Sequence, residues 1–400
     1  MKKILVGLLL FICSCISNNN RNQNQAEDAL INEPPYIISL EQKIDQLELV
    51  GLTEIGEAIS YIPLETSNMS LIDRFVRQII VSDSHITIRD NNRVLIFDTL
   101  GGFLRQIGRK GQGPGEYTSI YGCCFSPDGK TIYLLINSGR SILEYNIYGK
   151  YTNIFKLDMG AEIDQMHQIN EDLFAFHVYN MPKEFVPTDA SLIISDLYNN
   201  IQKIYNNYHR RIHVPTLPIP KVPFYFYQGE LRYKEAGCDT LYTIRQDELI
   251  PYAMLQLGRK EMPIDFYNLS FETQEMNLQQ NRGKYWVLDT IEDNDHLYIT
   301  LFDWINNFYG YYNKYSNTIK IIGKDGFQND IDGGLPFFPK YVYNDSILVD
   351  YVNAFTLREH VLGSNATEMR RLYGQKYDDL VELANSIDDE SNPIVVMVRK

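Results

Sequence analysis

A repeating unit constrains this chain more than any other feature. Phe97, Gly101 and Phe103 recur as Tyr145, Gly149 and Tyr151, each 48 positions later. A third copy runs through Ile193-Ile-Ser-Asp-Leu-Tyr-Asn199-Asn200, with Asn199 at the glycine position. Asparagine is the residue that best replaces glycine where the backbone turns left-handed. Around these markers lie short apolar runs, Ile86–Ile88, Val94–Phe97, Thr131–Leu135 and Ile142–Tyr145. Turn sequences such as Asp90-Asn-Asn92 and Ser126-Pro-Asp-Gly129 separate them, with the backbone chemistry that tight β-turns require. Four short strands per unit of about fifty residues is the period of a β-propeller blade. The span from about residue 60 to the end holds six or seven such units.

The fold expected is therefore all-β, a six-bladed propeller with seven blades as the runner-up. Abundant tyrosine and phenylalanine, 29 and 19 residues, suits pleated, half-buried surfaces. Later runs, Thr240–Ile244, Leu297–Phe302 and Phe308–Tyr315, continue the pattern. Residues 259–284 read as a long insertion with some helix. Met369, Leu372, Tyr373, Leu380, Leu383 and Ala384 recur at helical spacing and predict a short helix near the C-terminus. The terminal run Pro393–Val398 is expected to close the ring against Ser60–Leu64.

The first residues carry an address. Met1-Lys-Lys3 precedes nine apolar residues, Ile4–Ile12, the anatomy of a secretory signal over residues 1–14. Nine residues rise only ~14 Å as a helix, too little to span a membrane. Ile12-Cys-Ser-Cys15 resembles a bacterial lipobox, with small Ser14 ahead of Cys15 and bulky Ile12 ahead of Cys13. Cys15 is thus the expected lipidation site. Residues 15–36, rich in Asn and Gln, read as a flexible tether, and residues 37–400 as the folded domain. Ile16 and the late first acidic residue, Glu27, favour an outer-membrane anchor with the domain facing the periplasm.

A formal charge of −14 argues against nucleic-acid partners, which need basic patches. Cys123, Cys124 and Cys238 form no disulfide framework and are expected as small buried residues.

Several segments resemble a known family. Tyr61-Ile-Pro-Leu-Glu-Thr66, Gly108-Arg-Lys-Gly-Gln-Gly-Pro-Gly-Glu-Tyr117, Asn329-Asp-Ile-Asp-Gly-Gly-Leu-Pro-Phe-Phe-Pro339 and Asn392-Pro-Ile-Val-Val-Met-Val398 look like those of six-bladed propeller lipoproteins of gut anaerobes. That family is related to NHL-repeat and TolB-like propellers. The resemblance covers nearly everything after the tether and implies six blades and an anchored, exported domain. It implies no chemistry.

Candidate sites are few. The glycine-rich Gly108–Tyr117 segment lacks the Gly-Lys-Ser/Thr of a phosphate loop, and its glycines are expected to pass the chain between blades. Asp330 and Asp332 supply the first two acidic positions of a calcium loop, but Gly334 and Leu335 stand where further ligand and turn residues belong. No cofactor is expected beyond that candidate calcium. Glu292-Asp-Asn-Asp295 sits where a hairpin tip belongs. His209 and His213 are spaced as zinc ligands on a helix, but Pro215, Pro218 and Pro220 argue against the helix. Trp304, Phe308, Tyr309, Tyr311 and Tyr312 form an aromatic cluster beside Asn306 and Asn307, suited to stacking on sugars if exposed and to packing between blades if not. No nucleophile elbow or Cys–His signal appears. The expectation is an anchored, non-enzymatic binding or scaffold module for a protein or glycan. The alternatives are a glycan hydrolase or lyase with pore carboxylates, or a structural subunit of an envelope complex.

Overall fold

A computed structural model describes residues 33–73, 75–178, 190–206, 223–235, 238–263, 266, 273, 277, 279–303 and 305–400. Cys15, Trp304, His209 and His213 lie outside the described residues, as does part of the 259–284 insertion. Six antiparallel sheets follow one another along the chain as the blades of a propeller. Blade 1 is built from Gln78–Val81, Ile86–Arg89, Val94–Phe97 and Phe103–Ile107, and blade 2 from Ile120–Phe125, Thr131–Ile136, Ser141–Asn146 and Tyr151–Lys156. Blade 3 comprises Ile163–Gln168, Phe174–Val178, Ala190–Ser195 and Ile201–Asn206. Blade 4 comprises Phe224–Tyr227, Glu230–Lys234, Thr240–Arg245 and Glu248–Gln256. Blade 5 comprises Trp286–Glu292, His296–Phe302, Asn307–Asn313 and Thr318–Gly323. Blade 6 takes three strands from the C-terminal part, Tyr341–Tyr343, Ile347–Val352 and Ile394–Arg399, and its fourth, Ala58–Pro63, from near the N-terminus. The expected closure is present, in the register Tyr61 opposite Val396.

Each pair of neighbouring blades encloses its own hydrophobic cluster. Ile96 and Tyr145 meet between blades 1 and 2, Tyr133 and Phe176 between blades 2 and 3, and Leu192 and Tyr233 between blades 3 and 4. Because both faces of a blade are covered, strands read as apolar runs rather than alternations. Successive residues point to opposite interfaces. Cys123 faces blade 1 and its neighbour Cys124 faces blade 3. Both are buried free thiols, as is Cys238.

The repeat seen in the sequence is the hairpin between the third and fourth strands. Gly101, Gly149 and Asn199 hold φ of 90°, 83° and 68° there, and the pairing slips beside each turn. These hairpins latch onto the preceding blade: Glu65 N donates to Gly101 O at 2.8 Å, and Asp158 N to Asn199 Oδ1 at 2.8 Å. Asn199 therefore does two things glycine cannot combine, a left-handed turn and a side-chain latch.

A strand in the N-terminal segment of the folded domain was not foreseen. Tyr36–Ser39 runs parallel to Glu248–Gln256 as a fifth strand on blade 4, starting at the last residue assigned to the tether. The chain then crosses blade 5, where Glu48 N donates to Ile321 O at 2.8 Å, and reaches blade 6. Leu40, Ile44, Leu52 and Ile55 are buried along the way. Three helices precede the last strand: α1 (Ala354–Val361), α2 (Ala366–Tyr373) and α3 (Gln375–Ser386). The predicted helix over 366–386 is thus two, broken at Gly374 with φ 58°, and α1 is additional. Leu357, Tyr377, Leu380 and Ala384 pack with Ile394 of blade 6. Among the described residues no helix is long and apolar enough to cross a membrane.

Candidate functional site

The first strands of the blades stand side by side around the centre and enclose a cavity of about 790 Å³. Every blade contributes a residue to its wall: Gln78, Phe125, His167, Phe226, Ile291 and Tyr341 in chain order. His167 Nδ1 lies 3.2 Å from Gln168 O, and its ring meets Phe226 edge-on at 4.8 Å, which joins blades 3 and 4. Burial pushes the imidazole down to about 4, so it is neutral near pH 7.

The polar centre of the wall belongs to blade 6. Tyr341–Tyr343 and Ile347–Val352 form a hairpin whose turn places Asn344 and Asp345 at φ 51° and 53°. Lys340 N donates to Val349 O at 2.8 Å, and this register brings Lys340 onto the Asp350 carboxylate. The surroundings disfavour the ammonium, but Asp350 more than offsets that and holds the Lys340 pKa above its ordinary value. The lysine side chain remains 40% exposed while that of Asp350 is 9% exposed, so the lysine is the reachable member. Lys340 Nζ stands 4.6 Å from the centre of the Tyr351 ring, a cation–π distance. Beside it, Tyr309 stacks on Phe338 at 3.9 Å between centroids. Asp289 and Asn307 also line this part of the cavity.

The aromatic cluster read from the sequence is divided by the fold. Tyr309 reaches the channel, and Phe308 is half-buried with its ring edge-on to Tyr285 at 5.7 Å. Tyr311 and Tyr312 are 2% and 1% exposed, on the interfaces with blades 6 and 4 respectively. Of the two alternatives, Tyr311 and Tyr312 follow packing between blades rather than stacking on sugars. The strand has a neighbouring blade on each face, so alternate rings are buried in opposite directions.

Asp330 and Asp332 take different hydrogen-bond partners. Asp330 accepts from Thr53 N at 2.9 Å and Thr53 Oγ1 at 2.6 Å, tying the N-terminal segment to blade 6. Asp332 accepts from Tyr61 OH at 3.2 Å and Gly334 N at 2.9 Å. These carboxylates brace the chain through hydrogen bonds to Thr53, Tyr61 and Gly334. The glycine-rich segment after blade 1 is braced in the same way. Glu116 accepts from Gly113 N at 2.8 Å and from Arg109 Nε at 2.5 Å.

One cluster with metal-ligating residue types does occur among the described residues, Asp293, Asp295 and His296. Its cation is already supplied by the chain, since Lys400 Nζ lies 3.0 Å from Asp293 and 2.5 Å from Asp295. Asp293 Oδ1 also accepts from the backbone N–H groups of Asp295 and His296, each at 2.7 Å. Next to it, Glu292 is fully enclosed between blades 4 and 5. It accepts from Tyr252 OH at 2.6 Å, Lys314 Nζ at 2.6 Å, Arg232 Nε at 3.0 Å and Tyr225 OH at 3.3 Å. With every acceptor direction occupied, Glu292 holds two blades together and presents nothing to a ligand.

Six antiparallel blades, a ring closed by one N-terminal strand and a ligand-sized axial cavity define a six-bladed β-propeller. A family model described as a domain of unknown function, DUF4934, matches residues 35–399, and the chain belongs to that family. A candidate exported protein from Bacteroides fragilis is similar over 91% of this chain and 99% of its own, at 19% identity and TM-score 0.72. A DUF4221 member from Bacteroides vulgatus is similar over 86% and 97%, at 12% identity and TM-score 0.48. At such identities the first likeness establishes the fold alone. No curated protein matches the sequence.

Proposed function

We propose that this protein is an exported, lipid-anchored binding module, held to the cell envelope through Cys15 and taking its ligand in the central channel. The observation that carries the binding reading is the axial cavity of about 790 Å³, within the ~300–1,000 Å³ typical of small-molecule sites. Its wall is predominantly aromatic and apolar, with charged groups from Arg77, Asp289, Lys324, Asp325, Asp345 and the Lys340–Asp350 pair. That composition supports capture of a glycan or a protein segment. The export reading rests on the Lys2–Cys15 signal and lipobox. The periplasmic face of the outer membrane is the compartment proposed.

The test is a glycan-array and pull-down screen with the full chain, read for binding and for substrate loss together. Saturable binding that weakens when Tyr309 is replaced by alanine supports the reading. Turnover of a bound glycan would transfer it to a hydrolase or lyase using channel carboxylates. Capture that ignores channel substitutions would favour an envelope scaffold instead.

A further inference from the structure

We infer that the channel wall between blades 1 and 2 holds a subsite for the carboxylate of an acidic sugar, with Arg89 as its buried counter-charge; this rests on the channel being the binding site. Gln78 and Arg89 stand directly opposite one another on neighbouring strands of blade 1, so their side chains share a face. Val94, opposite Arg89 on the next strand, packs in the cluster between blades 1 and 2, which identifies that face as the one turned to blade 2. Gln78 lines the cavity, and Arg89 lies one strand behind it. Arg89 is 6% exposed, yet among the described residues its Nε has no acceptor and its guanidinium no ion pair. The neighbouring carboxylate, Asp90, is taken by Arg93 Nη2 at 3.0 Å and by the backbone N–H groups of Asn92 and Arg93 at 2.8 and 2.7 Å. Gln78 Oε1 is also enclosed without a partner among the described residues. Burial holds the Arg89 pKa below its ordinary value, the mark of a cation that the fold does not fully compensate.

A buried cation without a counter-charge is costly, and a ligand carboxylate removes that cost. It accepts from Arg89 Nε and a terminal guanidinium nitrogen in parallel, the geometry that the planar fork favours. The Gln78 amide, turned to present its nitrogen, donates to the same group. Charge along the wall is distributed to match. Among the described lining residues, blades 1 to 4 contribute one charged side chain, Arg77, and no carboxylate. Asp289, Asp325, Asp345 and Asp350 all come from blade 5, blade 6 and the segment between them. Arg77 is exposed, donates from Nε to Asn91 Oδ1 at 2.6 Å and adds positive potential beside Arg89. The rest of the wall suits a sugar ring as the bearer of the carboxylate. The Tyr309–Phe338 stack and the Tyr351 ring supply aromatic surface for its C–H faces, and Thr300 and Asn307 supply partners for its hydroxyls.

The experiment titrates the full chain with oligogalacturonates and with their methyl esters, which keep the sugar and lose the charge. Maltooligosaccharides and tri-glutamate are the comparison probes. The expected result is saturable binding of an oligogalacturonate, weakened about tenfold or more in the ester, the worth of a hydrogen bond to a charged group. Arg89→Met should weaken the acid by the same factor and leave the ester unchanged. Thermal melting separates this role from a structural one. Removing an uncompensated buried cation should keep or raise the melting temperature of the free protein, while the rise that the acid gives the wild type should disappear. Arg77→Gln, at an exposed position, should weaken the acid but not the ester. If Arg89→Met does not fold, that variant and the wild-type comparison of acid with ester still decide the matter. Equal binding of acid and ester, or acid binding untouched by Arg89→Met, would overturn the inference; the channel remains the site if Tyr309→Ala still weakens binding. Tighter binding of maltooligosaccharides, binding of tri-glutamate alone, or no uronate binding at all would overturn it too. Binding that none of Tyr309→Ala, Arg77→Gln and Arg89→Met alters would overturn the channel reading itself.

Discussion

Tyr61 faces Val396 across the seam that closes the ring, the former near the start of the folded chain and the latter near its end. Six backbone pairings, from Ala58 opposite Arg399 to Pro63 opposite Ile394, join the two strands. Val396 is 3% exposed and packs with Leu348 and Phe337 between blades 5 and 6. Val396→Asp would place an unpaired carboxylate there and should cost more than about 3 kcal/mol. A ring opened at this strand loses the support of both neighbouring blades, so urea unfolding followed by fluorescence and circular dichroism should shift together. Tyr148→Ala, at a 77% exposed hairpin tip, should change stability by no more than about 0.5 kcal/mol.

The second prediction concerns Glu292, which is 1% exposed and accepts hydrogen bonds from Arg232 and Lys314. Glu292→Ala leaves two cations enclosed without their carboxylate and should cost about 3–5 kcal/mol. Glu292→Gln keeps the shape and part of the hydrogen bonding and should cost less. Chemical denaturation of both variants gives the comparison, and equal losses would mean that the charge does not matter there.

Much of this architecture was legible because it repeats. The glycine and asparagine turns at Gly101, Gly149 and Asn199 mark the same hairpin in three blades, and the apolar runs around them mark strands. The terminal strand partners followed from the need of a ring to leave no edge. Residues 36–55 were not legible, because their strand is short and their other contacts are isolated bridges onto blades 4, 5 and 6. The channel was illegible for a different reason. Lys340, Asp350, Tyr309 and His167 come from three blades, and nothing in their spacing announces that they share a wall. The aromatic run at Phe308–Tyr312 was conspicuous in sequence, yet strand parity assigns Tyr311 and Tyr312 to opposite interfaces, and Tyr309, on the same face as Tyr311, also reaches the channel.

A third prediction follows from His167, whose pKa falls to about 4 in the folded protein through burial, against about 6.5 in an unfolded chain. The folded state refuses a proton that the unfolded state accepts between those values. The stability tied to neutral His167 is therefore complete above about pH 6.5 and is lost as the pH falls towards 4. The loss should be about 3 kcal/mol across that window. In His167→Phe the corresponding part of the slope should vanish. Parallel slopes for the two proteins between pH 6.5 and 4 would show that the imidazole is protonated equally in both states.

Thiol reactivity provides a fourth. Cys123 and Cys124 are 2% and 1% exposed, and burial pushes the Cys123 thiol up to about 12. Cys238 is raised by burial as well, despite nearby Lys234. Because the thiolate is the reactive form, all three should resist a disulfide-exchange reagent in the native protein and react together on unfolding. Rapid labelling of one cysteine under native conditions would reveal local opening of its blade.

The last prediction addresses the anchor proposed at Cys15. If Cys15 carries lipid, wild-type protein expressed in a Gram-negative host should enter the membrane fraction and incorporate labelled palmitate. Cys15→Ala should remove the label and release the chain to the soluble envelope fraction, with the melting temperature of the propeller unchanged. Cys13→Ala should do neither, because bulky Ile12 stands where the lipobox wants a small residue before the acceptor. The pair of variants separates lipidation from simple retention of the apolar Ile4–Ile12 segment, which would hold both variants at the membrane. A single acyl chain binds a bilayer only marginally, so firm retention of the wild type also requires the multiple acylation of a processed bacterial lipoprotein. Palmitate in Cys15→Ala, or a soluble wild type, would remove the anchor from the proposed function while leaving the channel and its ligand untouched.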